Sequence, residues 1–336
     1  MSLIPVTILT GFLGAGKTTL LNQLMQSKGD EKVIIIVNEF GDTSIDHELV
    51  LVDEDERIFQ MNNGCMCCIL REDLAEMFLD ILTIVKESGI AIHRVIIETS
   101  GLAEPSPIAQ TIVRTPLLNE HFMIDSILTL VDAKNAEYQL DHYPEATEQV
   151  AFADRLLLTK TEAVPKQELH ALKQKLAKIN PFIDQEYVHG NLQFADLIGL
   201  QLFDHGLDNE DIEADIDHMI DNHEHHHHDH ESHEHHHVHT PVNSFVIRLE
   251  EALPEKQVIL WIRQLIQLYG MDLMRYKGLL NIEGYDQPVV LQGVNMAFRL
   301  EEGECWQEKP ITKIVLIGKE LPEAEIRALL VNQHLT

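Results

Sequence analysis

The sequence predicts an α/β protein: a parallel sheet with helices on both faces, followed by a smaller α+β domain. Three observations carry this expectation. An apolar run, Val6-Thr7-Ile8-Leu9-Thr10, passes through Gly11-Phe12-Leu13-Gly14-Ala15-Gly16-Lys17-Thr18 into a helix-forming stretch, Thr19-Leu20-Leu21-Asn22-Gln23-Leu24-Met25. Further apolar runs then alternate with helical patterns up to a sharp change of composition near residue 204. Beyond residue 241 ordered patterns resume in a different sequence of elements.

The later strands are expected at Val33–Val37, Val95–Ile97, Ser126–Val131 and Leu156–Leu158, with a weaker one at Tyr187-Val188. Helices are expected at Leu70–Val85 and Gln167–Ile179. Strands that are apolar at every position are buried on both faces, which is the signature of a parallel sheet between helical layers. In such a sheet ligands bind beyond the carboxyl ends of the strands.

From Asp204 to Asp221 the chain is dense in Asp and Glu, and from His223 to His239 it is mostly histidine. Neither stretch carries enough apolar surface to offset the entropy of ordering it. We therefore read three regions: 1–203, the sheet domain; 204–241, an acidic and His-rich linker; and 242–336, the second domain. The second domain opens with Ser244-Phe245-Val246-Ile247-Arg248-Leu249, followed by a helix over Glu255–Leu268. Strand-like runs at Leu273–Ile282, Val289–Val294 and Ile314–Ile317 lead to a last helix from Pro322. That order predicts a ferredoxin-like split βαβ unit.

Composition excludes several classes. The formal charge of −30 opposes binding to nucleic-acid phosphates and to anionic membrane surfaces, and it favours accumulation of cations. No apolar stretch reaches the length of a bilayer span, and the N-terminus lacks a basic n-region, so a cytoplasmic protein is expected. Of the 4 cysteines in the chain, Cys65, Cys67 and Cys68 sit together, a pattern that in a reducing compartment points to metal binding or catalysis.

The Gly11–Thr18 segment is a complete G-x-x-x-x-G-K-[ST] phosphate-binding loop in its required strand–loop–helix setting. Gly11, Gly14, Ala15, Gly16, Lys17, Thr18 and Thr19 are the expected nucleotide-binding residues. Backbone N–H groups cradle phosphate oxygens, Lys17 reaches the β- and γ-phosphates, and the Thr18 hydroxyl serves Mg²⁺. A second signal is Val95-Ile96-Ile97-Glu98-Thr99-Ser100-Gly101, an apolar strand ending in an acid with glycine three residues on. In a P-loop NTPase the acid, Glu98, holds Mg²⁺ and the Gly101 N–H senses the γ-phosphate. Asn38-Glu39-Phe40-Gly41, with Asp46 beyond it, is a candidate first switch, whose acids reach Mg²⁺ or orient the attacking water.

The base is expected against Thr159-Lys160-Thr161-Glu162, where GTPases carry N-K-x-D. Lys160 lies across the ring and the Glu162 carboxylate replaces the usual Asp, so GTP is favoured over ATP. Between the two switch candidates stands Gly64-Cys65-Met66-Cys67-Cys68. Three thiolates, soft ligands, select Zn²⁺ or Cu(I) and leave a fourth position for Glu39, a histidine, water or an acceptor's ligand. Buried structural cysteines or a redox trio are the competing readings, although vicinal Cys67-Cys68 would make a strained disulfide.

The tract of His223, His225, His226, His227, His228, His230, His233, His235, His236, His237 and His239 reads as a flexible collector of divalent metal, its competing reading being a solvated linker. Cys305, beside Trp306, reads as a buried small hydrophobe. Arg275-Tyr276-Lys277-Gly278 reads either as a contact surface or as a solvated strand.

Together, Gly11–Thr18, Asn38–Gly41, Gly64–Cys68, Glu98–Gly101, Thr159–Glu162 and the Arg275–Gly278 region resemble the CobW-type family of P-loop GTPases, and its YjiA-like members in particular. The resemblance covers nearly the whole chain. It implies a nucleotide domain of the class found in the UreG and HypB metallocentre GTPases, a CobW C-terminal domain, slow GTP hydrolysis, and metal insertion or zinc homeostasis. The expectation is therefore a GTP-hydrolysing metallochaperone using GTP/GDP, Mg²⁺ and Zn²⁺ (with Co²⁺ or Ni²⁺ open), a client metalloprotein as partner, and a metal- or nucleotide-linked homodimer. A zinc buffer with a regulatory GTPase domain and a small-molecule kinase are the alternatives.

Overall fold

The computed structural model describes residues 3–37, 58–60, 71–89, 91–181, 183–187, 192–200, 202–203, 242–303, 305–306 and 309–331. Asn38, Glu39, Asp46, Cys65, Cys67, Cys68 and the histidines from His223 to His239 lie outside the described residues, as does all of 204–241. The chain divides into two compact units, one of Met1–Lys173 with Ile183–Gly206 and one of Gln174–Phe182 with Leu207–Thr336.

The first unit runs β1 (Ile4–Gly11), α1 (Lys17–Gln26), β2 (Val33–Val37), β3 (Ile58–Gln60), α2 (Arg71–Ser88), β4 (Arg94–Glu98), α3 (Ser106–Arg114), α4 (Pro116–Asn119), β5 (Phe122–Asp132), α5 (Ala136–His142), α6 (Pro144–Phe152) and β6 (Arg155–Thr159). After a short 3-10 helix, Thr161–Ala163, come α7 (Lys166–Ile179), whose residues from Gln174 on are counted with the second unit, then β7 (Asp184–Tyr187) and α8 (Phe194–Leu197).

The strands form one all-parallel sheet in the order β3-β2-β4-β1-β5-β6-β7. The sheet is covered on both faces, since Val6 through Gly11 are buried without alternation. One face is closed by Leu20, Leu21 and Leu24 of α1 against Leu9, Ile35, Ile96, Leu128 and Leu157. Burying each such side chain contributes about 1.5–3 kcal/mol, so the strand ends that carry the site rest on a rigid base.

The second unit contains β8 (Val242–Leu249), α9 (Glu255–Tyr269), β9 (Leu273–Leu280), β10 (Val289–Val294), β11 (Ala297–Glu302), β12 (Thr312–Lys319) and α10 (Glu323–Val331). Its antiparallel sheet has the order β11-β10-β9-β12-β8. Strands β8 and β9, joined through α9, run parallel with β12 between them, which is the split βαβ arrangement. Its core joins Trp261, Ile262 and Leu265 of α9 to Tyr276, Leu280, Ile314 and Leu316 of the sheet, and to Ile326 of α10.

The structure corrects three details of the sequence reading. It adds β3 and β11, so the second unit has one more strand than expected. Cys305 is exposed, not buried, and its Sγ accepts from Gln287 Nε2 at 3.7 Å. Arg275 and Lys277 are each only 3% exposed, so their strand is not a solvated one. None of the described helices is long and apolar enough to cross a membrane.

Candidate functional site

Four neighbouring strands, β4-β1-β5-β6, end side by side, and each delivers one chemical group at its carboxyl end. β4 ends in Glu98, β1 in Gly11, β5 in Asp132 and β6 in Thr159. Register fixes the row: Leu9 pairs with Glu98, Gly11 with Leu130, and Asp132 with Thr159. This is where a parallel sheet binds ligands.

At the centre, Gly11 turns out of β1 with φ 139°, and a Cβ there would collide with the Leu130 carbonyl oxygen. The chain then curls through Gly14 and Gly16, both at positive φ, into α1. Gly16 caps α1, whose first turn holds no acidic side chain and receives no side-chain cap. Its N–H groups and positive dipole end therefore remain for an anion. Gly14, Thr18 and Thr19 are exposed there, while Ala15 is buried.

Lys17 is 8% exposed, and its ammonium donates to Gly11 O at 2.7 Å and Phe12 O at 3.4 Å. Burial pushes its pKa below the ordinary lysine value, and the nearby Glu98 charge pulls it partly back. An ammonium so placed is suited to meet phosphate charge. The Thr18 hydroxyl donates to Glu98 Oε1 at 2.6 Å, and Glu98 is 5% exposed. A hydroxyl and a carboxylate, both hard oxygen donors, fit Mg²⁺ beside a phosphate. Among the described residues no group of three or more His, Cys, Asp and Glu could hold a metal ion.

The turn after β4 presses against the phosphate loop. A Cβ on Gly101 would lie 2.6 Å from Leu13 N and 2.7 Å from Leu13 Cα, so only glycine allows this approach. Gln149 of α6, 1% exposed, donates to Gly101 O at 3.2 Å and Ala103 O at 3.0 Å. It pins the turn from behind. Gln149 carries no local signal, because its role depends on a helix the sequence reading did not foresee.

On the other side, Thr159 Oγ1 donates to Ala15 O at 2.9 Å, and the Lys160 ammonium donates to Gly14 O at 2.8 Å and Asp132 Oδ2 at 2.7 Å. Lys160 takes a left-handed φ of 56°. Asp132 also accepts from Asn135 Nδ2 at 2.7 Å and from Lys134 N at 3.1 Å. Burial pushes the Asp132 carboxyl up, but its hydrogen bonds from Lys160, Asn135 and Lys134 outweigh this and hold it below the usual carboxylate range. Glu162 is exposed. Asp132 was absent from the sequence-based set, although it shows the same signal as Glu98, an acid ending an apolar strand.

Comparison with known proteins agrees with this geometry. Residues 5–185 match the CobW/HypB/UreG nucleotide-binding domain, and 242–333 match the cobalamin synthesis protein cobW C-terminal domain. The chain is 34% identical to the zinc chaperone YjiA of Escherichia coli, with 98% of each chain covered. It is 32% identical to the zinc chaperone CobW of Pseudomonas aeruginosa, covering 96% of this chain and 89% of that one. Among solved structures, a zinc(II)-bound YjiA GTPase from E. coli superposes with a TM-score of 0.76 at 30% identity, covering 99% of both chains.

Proposed function

The chain belongs to the CobW/HypB/UreG family, and from that premise we propose that it is a GTP-hydrolysing metallochaperone that couples nucleotide state to delivery of zinc to a client metalloprotein. The observation that carries the nucleotide half is the Thr18–Glu98 contact of 2.6 Å, which joins the phosphate loop to the acid of β4. The metal half is supported by the zinc chaperone names of its whole-chain relatives and by the thiol cluster at Cys65, Cys67 and Cys68.

In this reading the nucleotide lies across the strand ends from β4 to β6. Lys17 and the first turn of α1 hold the phosphates, and the Gly101 N–H faces the γ-phosphate. Lys160 covers the base, and Glu162 accepts from the guanine ring N–H and amine. Thr18 and Glu98 hold Mg²⁺, which when bound neutralises charge developing on the transferred phosphoryl group. Water attacks the γ-phosphorus, the bond to the β–γ bridging oxygen breaks, and GDP leaves with phosphate and a proton. Asp46 and Glu39 belong to the segment that senses this change, with Glu39 beside the thiols as a metal ligand. The histidine tract supplies metal to the thiols from solution.

The test is metal-linked turnover. GTP hydrolysis and zinc binding are measured on the wild type and on Cys65→Ser/Cys67→Ser/Cys68→Ser. The proposal expects the triple variant to lose tight zinc binding and the zinc dependence of nucleotide affinity while still hydrolysing GTP. Unchanged zinc binding and unchanged linkage would refute the thiol assignment.

A further inference from the structure

We infer that the Ser100 hydroxyl contacts the γ-phosphate and thereby helps the chain distinguish GTP from GDP. The inference rests on the nucleotide reading above and adds a residue to it. Ser100 is 6% exposed, and its Oγ is fully buried with no hydrogen-bond partner among the described residues. Buried hydroxyls without partners are rare in native proteins, and each calls for a reason.

The groups around Ser100 are already committed. Thr99 N donates to Leu9 O at 3.0 Å, and Thr99 Oγ1 donates to Thr10 Oγ1 at 2.8 Å. The Ser100 carbonyl accepts from Ala103 N at 3.1 Å. The Gly101 and Ala103 carbonyls accept from Gln149. The turn is therefore held without help from the Ser100 hydroxyl, and alanine would fill the same space without stranding a polar atom.

Position says what would complete it. Ser100 stands two residues after Glu98, the acid joined to Thr18 of the phosphate loop. It stands one residue before Gly101, whose Cα packs against Leu13 of the same loop. The hydroxyl thus belongs to the segment at the phosphate end of the site, and, covered as it is in this structure, it meets the γ-phosphate only as that segment shifts on binding. A serine hydroxyl has one proton to donate, and a γ-phosphate offers anionic oxygens to receive it, a charge-assisted bond. GDP has no such group, so the bond would be made in the triphosphate complex alone.

The test uses the full chain with Mg²⁺ and measures equilibrium binding of fluorescent GDP and of a fluorescent non-hydrolysable GTP analogue, together with thermal midpoints. Ser100→Ala is expected to weaken the GTP analogue by about tenfold while GDP affinity stays within about twofold, the size of one hydrogen bond to a charged group. Its thermal midpoint should be unchanged or higher, because removal of a stranded hydroxyl relieves its burial cost. Ser100→Thr, which restores the hydroxyl, should restore the preference, and Ser100→Gly should repeat the alanine result. Equal effects on both nucleotides, no effect, or a fall in midpoint with both affinities would overturn the assignment in favour of a structural role or a structural water. A wild type that binds both nucleotides beside an unaltered Ser100→Ala would sink this inference alone. A wild type that binds neither nucleotide would sink the nucleotide reading with it.

Discussion

Lys160 ties Asp132 to the phosphate loop: its ammonium sits 2.7 Å from the Asp132 carboxylate and 2.8 Å from the Gly14 carbonyl. With Thr159 bonded to Ala15 O, the Thr159-Lys160 segment and the phosphate loop are joined by hydrogen bonds. Motion in one is therefore felt by the other. Asp132→Ala frees the Lys160 side chain, and GDP affinity should fall by about tenfold, the order expected for loss of a hydrogen bond to a charged group. Titration calorimetry of the variant checks this, and unchanged affinity would mean that Lys160 needs no anchor.

Asp132 also sets a pH dependence. Its folded-state pKa is lowered, so between that value and the unfolded one the unfolded chain binds the extra proton. Its contribution to stability is therefore complete above about pH 4, the ordinary carboxylate range, and is lost as pH falls through the lower folded value. The thermal-midpoint difference between wild type and Asp132→Asn should be largest near neutrality and shrink in acid. A difference that grows in acid would contradict the sign.

Burial disfavours the Lys17 charge, a cost that the proposed phosphate contact would offset. Lys17→Met should leave the midpoint of nucleotide-free protein unchanged or higher. It should abolish the stabilisation by GDP and Mg²⁺, which in wild type at a hundredfold excess over Kd amounts to about 2.7 kcal/mol. Differential scanning fluorimetry reads both quantities, and a retained nucleotide shift would remove Lys17 from the site.

Thr18 and Glu98 act as a pair. Thr18→Ala and Glu98→Gln should each lower kcat by about 10²–10³, the scale for losing a preorganised electrostatic contact. GDP binding in the presence of a chelator should persist in both. If turnover keeps its wild-type Mg²⁺ dependence, the pair does not hold the cation.

Much of this site was legible because each phosphate-loop position demands a particular chemistry: glycine where the backbone turns, Lys17 for charge, Thr18 for a hydroxyl. The uniformly apolar runs gave β1, β2, β4, β5 and β6 for the same reason, since burial on both faces leaves no other composition. Helix α6 left no stripe to read, because Ala146 through Phe152 are all buried, and with it Gln149 went unnoticed. Strand β11 was missed because an edge strand keeps solvent-facing positions; Arg299, Glu301 and Glu302 interrupt its apolar pattern. Three-residue β3 is too short for any period to emerge. The Ser100 hydroxyl is invisible in sequence, since a stranded polar atom is defined by what surrounds it.

The proposed coupling requires nucleotide state to control metal binding at Cys65, Cys67 and Cys68. The decisive measurement is zinc affinity, by competition with a chromophoric chelator, of protein lacking 223–239, with GDP and with a non-hydrolysable GTP analogue. Coupling of about 1–3 kcal/mol is typical of linked sites. A shift of about tenfold or more is expected, with an equal shift in the GTP-to-GDP affinity ratio when zinc is added, as linkage requires. Identical zinc affinities in the two states would contradict it, leaving a GTPase and a zinc buffer joined in one chain.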